Sequence, residues 1–106
     1  MKELMKTISQ PDTEINEIYP NQWKFPHRVD FETTSTYINK MDGLDRADQL
    51  TFDLSDTEIV HSSFIGFLID TKRKCRNNDR EFNLLISPYL EKIFRSLEIY
   101  DYLLYN

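Results

Sequence analysis

The chain has one cysteine and two glycines in 106 residues, and these scarcities exclude several chemistries at once. Cys75 alone can build neither a disulfide framework nor a thiolate metal site, and it suits a reducing compartment. Gly43 and Gly66 cannot make a Gly-rich phosphate loop, which weighs against nucleotide-handling chemistry. No run approaches the ~18 consecutive apolar residues of a membrane span, and Met1–Lys6 lacks the apolar centre of a secretory signal. Positive charge is also short: 13 Lys and Arg against 18 Asp and Glu give a formal net charge of −5, without the basic stripe nucleic acid requires. The one basic cluster (Lys72, Arg73, Lys74, Arg76) falls late on a predicted helix, where the dipole favours cations. His27 and His61 stand on separate segments with no zinc-ligand spacing, and no G-x-S-x-G elbow surrounds the adjacent His61 and Ser62. The expectation is a cytoplasmic, non-catalytic protein with no metal or cofactor, no membrane insertion and no direct nucleic-acid contact.

A hydrophobic content of 40%, with 13% aromatics, is that of a folded chain, and the length suits one domain over residues 1–106. Met1–Asp12 is polar and broken by Pro11, and reads as a partly disordered stretch or an edge arm. Thr13–Tyr19 and Gln22–Val29 carry strand signals around Ile15, Ile18 and Tyr19, then Trp23, Phe25 and Val29. They could pair as a hairpin through Asn21, with Pro26 marking an edge position or a bulge. Phe31–Met41 has Thr34, Tyr37, Ile38 and Met41 at helical spacing, Asp30 as cap and Gly43 as its stop; Leu44–Gln49 is then a loop. Past the centre, Asn77–Asn78–Asp79 is a turn in which asparagine supplies the left-handed residue. Glu81–Ile86 reads as a strand buried on both faces, and Ser87–Pro88 as a helix start. Leu90, Ile93, Phe94 and Leu97 share one helical face, and Ile99–Tyr105 reads as a last strand. The alternation predicts an α/β fold: a mixed, mostly parallel sheet with helices packed against it.

The centre of the chain is Leu50–Arg76, LTFDLSDTEIVHSSFIGFLIDTKRKCR. Leu50, Phe52 and Leu54 alternate with polar residues as in a half-buried strand, and Ile65, Leu68 and Ile69 then recur at helical spacing. Ser62 and Ser63 precede that helix as its N-cap, placing a hydroxyl at the positive end of its dipole, where added negative charge is favoured.

Asp53-Leu54-Ser55, followed by His61-Ser62-Ser63-Phe64-Ile65-Gly66, resembles the STAS-domain family, the anti-sigma factor antagonists of the SpoIIAA and RsbV type. Val29-Asp30 with Thr33, Leu85–Pro88 and Ile93–Ile99 extend the resemblance in the right order over about residues 22–104. It implies a SpoIIAA-like STAS fold and a phosphoacceptor at Ser62, or less strongly Ser63. The implied partners are an anti-sigma factor serine kinase of the GHKL type and an opposing phosphatase. They would meet a patch of Asp30, Thr33, His61, Ser62, Ser63, Phe64 and Ile65. The other use of such a module is a phosphorylation-independent scaffold, such as the small cytoplasmic subunit bound to the ATPase of a lipid-transporting ABC complex. Three residues depart from the family pattern: His61 stands in place of aspartate, and Phe64 and His27 in place of glycine. His27 reads as an ordinary exposed residue, and Phe64 either as a binding anchor or as core.

Overall fold

The structure, a computed structural model, describes residues 15–19, 21–40 and 48–105, the side chains of 16, 19, 37, 39 and 40 apart. The N-terminal arm, the Gly43 helix stop and most of the loop after it lie outside the described residues. Strand β1 (Asn16–Tyr19) pairs antiparallel with β2 (Gln22–Lys24), and Asn21 turns the hairpin at φ 64°. Asparagine tolerates that left-handed conformation because its short polar side chain bonds locally.

The chain then bends at Pro26 and resumes as β3 (Arg28–Val29), which leads into helix α1 (Phe31–Lys40). Strand β4 (Gln49–Leu54) is likewise followed by a short β5 (Ile59–Val60) and helix α2 (Ser62–Asn77). Strand β6 (Glu81–Ile86), α3 (Pro88–Ser96) and α4 (Tyr100–Leu104) complete the fold. The main sheet has the order β1-β2-β4-β6, with β2–β4 and β4–β6 parallel, and β3–β5 form a second parallel pair.

One face of the sheet is the core. Leu50, Phe52 and Leu54 are in register with Phe82, Leu84 and Ile86, and all but the half-buried Ile86 are buried. Phe25 touches Phe52 (ring centroids 4.9 Å apart) and Phe64 of α2 (5.3 Å), while Phe52 meets Phe82 edge-on at 5.0 Å. Such tilted ring pairs add about 0.5–1.5 kcal/mol each beyond their buried area. Helix α2 packs on α1, β6 and α4. Cys75 is a small buried side chain on its inner face, as its spacing suggests. The opposite sheet face carries Lys24, Thr51, Asp53 and Asn83, all half-buried.

Four expectations need correction. Ile99–Tyr105 is helical, not a strand. Glu98 turns left-handed (φ 60°), so the Ile99 N–H bonds back to the Phe94 carbonyl (3.0 Å), and Leu103 is buried one helical turn on. A short apolar run does not distinguish strand from helix, and no glycine marks this turn. Strand β6 is buried on one face only: it forms an edge of the sheet, and Leu85 is 48% exposed. The left-handed residue after α2 is Asp79 (φ 56°), not an asparagine; Asn78 instead closes the helix by donating its amide to the Lys74 carbonyl (2.8 Å). Finally, Lys72 is buried although it belongs to the basic run, and Ile38 and Leu97 are exposed although their spacing assigns them to core faces.

The bend is held by buried polar bonds. The Thr57 hydroxyl donates to the Pro26 carbonyl (2.7 Å), and the Ser87 hydroxyl donates to the Thr57 carbonyl (2.7 Å). Ser87 also accepts the Leu90 N–H (3.1 Å) as the cap of α3, with Pro88 beginning that helix as expected. Removing one partner of a buried bond leaves the other desolvated and unmatched, at about 1–3 kcal/mol. Thr57→Val and Ser87→Ala should each lower stability by that order, and together by less than their sum. Urea unfolding midpoints at unchanged slope measure both; strictly additive losses would show the two bonds to be independent.

Candidate functional site

The bend brings two helix starts together. β3 pairs with β5, and the His61 N–H donates to the Val29 carbonyl (2.9 Å), so the residues that open α1 and α2 leave neighbouring strands side by side. Asp30 caps α1 as expected, its carboxylate accepting the Thr33 N–H at 2.8 Å. That N–H, and next the Thr33 hydroxyl, hold the Asp30 carboxyl below its ordinary range.

At α2 the cap is His61, not a serine. Its backbone is extended (φ −81°, ψ 151°) and its Nδ1 accepts the Ser63 N–H at 3.0 Å. The Ser63 hydroxyl lies 2.8 Å from the same nitrogen. Ser62 and Ser63 are therefore the first two residues of the helix, and they differ: Ser62 is exposed, whereas Ser63 is half-buried and tied to the cap. Among the described residues no hydrogen bond engages the Ser62 hydroxyl. No acidic side chain lies in the first turn of α2, so its positive end has no carboxylate to offset it.

The expected patch is only partly a surface. Asp30, His61, Ser62 and Ser63 come together at the paired helix starts. Phe64 is fully buried against Phe25 and Phe67, which makes it core and removes it as a docking anchor. Thr33 is buried at 7% exposure and Ile65 is half-buried, so neither offers much area. His27 is exposed at the bend, as expected.

Spacing alone misses two exposed apolar side chains here. Phe31, the first residue of α1, is 61% exposed and sets its ring edge-on to His61, with centroids 5.9 Å apart. Ile59, two residues before His61, is also largely exposed. Phe31 is visible in the sequence as an apolar residue placed directly after a cap.

A second polar group sits where β4 ends. Asp53 accepts from the Ser55 hydroxyl (2.6 Å) and N–H (3.0 Å), and Lys24 bridges Asp53 (3.5 Å) and Asp56 (2.9 Å). Partial burial pushes the Asp53 carboxyl up, but the Ser55 bonds and the Lys24 ammonium outweigh it and hold it below its usual range. Burial likewise pulls Lys24 down, while the Asp56 bond and both carboxylates carry it above its usual value. The lysine ammonium lies within ion-pair distance of both carboxylates, so their charge is met from within the chain at the strand end. Among the described residues no group of His, Cys, Asp and Glu is placed to hold a metal ion, and no helix is long and apolar enough to cross a membrane.

No protein-family model matches the chain, and no curated protein matches it either.

Two predictions follow from these caps and carboxylates. His61→Ala should cost about 1 kcal/mol, the usual loss for an N-cap. His61→Asp should retain the cap and gain up to about 1 kcal/mol from the helix dipole, a gain that shrinks in salt. Thermal unfolding at low and high ionic strength distinguishes the two, and equal losses for both would disprove a capping role. The second concerns acid. Asp30 and Asp53 ionise more easily folded than unfolded, so their contribution is complete above the ordinary carboxylate value of about 4. It disappears as pH falls through their depressed folded values. Asp53→Asn should flatten the acid limb of a stability–pH curve; an unchanged limb would remove Asp53 from that account.

Proposed function

We propose that this chain is a STAS-type signalling module of the cytoplasm that binds a protein partner around the start of α2 and is switched by phosphorylation of Ser62. The fullest form of the reading is an anti-sigma factor antagonist. Its partner would be an anti-sigma factor serine kinase of the GHKL type, opposed by a phosphatase. The kinase moves the γ-phosphoryl group of ATP to the Ser62 oxygen, which gives up its proton, and releases ADP.

The observation that carries this is the inequality of the two serines. Ser62 offers an exposed hydroxyl on the first turn of a helix that has no acidic residue there, while Ser63 is held by the cap. A phosphate adds about −1.5 to −2 charges and strong acceptor oxygens, and a helix N-terminus is where such a group is tolerated best. The strand and helix starts that adjoin it carry Asp30 and Glu58 against Arg28. The phosphate therefore changes the charge beside the exposed Phe31 and Ile59, which works against a partner that docks there on the unmodified surface. On the outer side of α2, one turn beyond Ser62, a Cβ on Gly66 would meet nothing within 4 Å, so that side is open to a close approach.

The test is capture from the native cell with wild type, Ser62→Ala and Ser62→Asp, with mass spectrometry of residue 62. A serine kinase retained by wild type and alanine but at least tenfold weaker with aspartate, a difference of about 1.4 kcal/mol, supports the switch. Equal capture of an ABC-type ATPase by all three, with residue 62 unmodified, would instead make the chain a constitutive scaffold.

A further inference from the structure

We propose that His61 senses charge on Ser62: a phosphate there draws a proton onto the imidazole and exchanges the N-cap of α2. This rests on Ser62 being a phosphorylation site, and it concerns what the modification does inside the molecule.

The starting state is fixed by a backbone donor. An amide N–H can only donate, so the Nδ1 that receives the Ser63 N–H at 3.0 Å carries a lone pair, and the ring proton sits on Nε2. His61 therefore caps α2 only as a neutral imidazole. The same nitrogen lies 2.8 Å from the Ser63 hydroxyl, and the ring stands edge-on to Phe31. One side chain thus orients a second serine and touches the most exposed apolar group near the site.

The charged groups around it come from each neighbouring element: Arg28 on β3, Asp30 and Glu32 at the start of α1, and Glu58 just before β5. The first turn of α2 contributes no acid. A phosphate on the adjacent Ser62 becomes the largest local charge, and imidazole is the side chain whose charge changes near neutral pH. When Nδ1 takes a proton from solvent, one N–H bond forms and no other covalent bond changes. Both ring nitrogens are then donors, free to pair with the phosphate, and neither can accept from Ser63. The phosphate oxygens take over the Ser63 N–H, as anions do at helix N-termini. The Ser63 hydroxyl can then only accept from the imidazole, and the Phe31 ring faces a cation, so the docking surface changes in hydrogen bonding as well as in charge.

The experiment uses the full chain with phosphoserine installed at position 62 during translation, so no kinase is needed. Nitrogen NMR of the imidazole across about pH 5 to 8 is compared with the unmodified chain. The phosphorylated chain should keep a protonated-type Nδ1 signal to a higher pH than the unmodified chain, with the Ser63 amide and the Phe31 ring shifting together. In phosphorylated His61→Asn, which keeps a good cap that does not titrate, the Phe31 shift should be lost. Identical imidazole signals in both forms at every pH, or a Phe31 shift that survives in His61→Asn, would overturn the proposal. An unphosphorylated Ser62 in the native cell would sink the switch itself and leave this result standing.

Discussion

The buried bond from Thr57 to the Pro26 carbonyl is the constraint from which the geometry of the site follows. Proline supplies no N–H, and a strand pair that breaks beneath a helix layer leaves carbonyls that water does not reach. The Pro26 carbonyl is satisfied by Thr57, and the Thr57 carbonyl by Ser87. With those groups matched, the pairing of Lys24 with Asp53 can stop and restart as Arg28 with Ile59, the second strand spending two residues more than the first. Phe25 and Val29 lie four residues apart on the first strand and both are buried, while the even surplus keeps the exposed Arg28 beside the exposed Ile59. Because Ser87 also caps α3, one chain of hydroxyls joins the bend to the C-terminal helices. The starts of α1 and α2 lie side by side because of this break.

The two helix starts are electrostatically unequal. Asp30 brings a full negative charge to α1, which explains both its short bond to Thr33 and the ease with which it ionises. His61 brings an uncharged acceptor to α2, so one backbone donor is satisfied while the dipole is not offset. An aspartate at position 61 would fill both roles and would also repel a neighbouring phosphate. The imidazole leaves the positive end of α2 without a counter-charge in its first turn. A histidine cap thus handles charge at the start of α2 differently from the aspartate cap of α1.

Much of this was legible in the sequence wherever a local rule and the tertiary packing agree. The period-2 run of β4, the Asp30 cap, the Asn21 turn and the Ser87–Pro88 helix start are all local signals, and the structure contains each of them. What was hidden depends on neighbours. Ile99–Tyr105 has no intrinsic preference strong enough to choose helix over strand, and a left-handed Glu98 decides it. Lys72 reads as one member of a solvated run, yet it lies on the inner side of α2, where burial first, and then the charge of Arg76, pull its ammonium down. At the site, serines are commoner caps than histidines, so the sequence favours Ser62 or Ser63; the extended backbone at His61 shifts the cap one residue earlier. That shift separates the two serines into one engaged and one free hydroxyl, which no spacing argument could do.

Phe64 sets the limit on how a signal can leave the site. A glycine after the serine pair would allow the first turn of α2 to move when charge is added beside it. Phe64 is instead fully buried and pinned between Phe25 and Phe67, and Phe25 is itself bonded through its N–H to the Asp53 carbonyl (3.0 Å). Truncating such a ring typically costs about 3–5 kcal/mol. That is more than the ~0.3–2 kcal/mol a charge gains or loses at a helix end. Charge added at Ser62 therefore cannot lift the helix start off the core. Any response must travel through groups free to turn while the backbone stays in place: the exposed imidazole of His61, the Ser63 hydroxyl and the ring of Phe31.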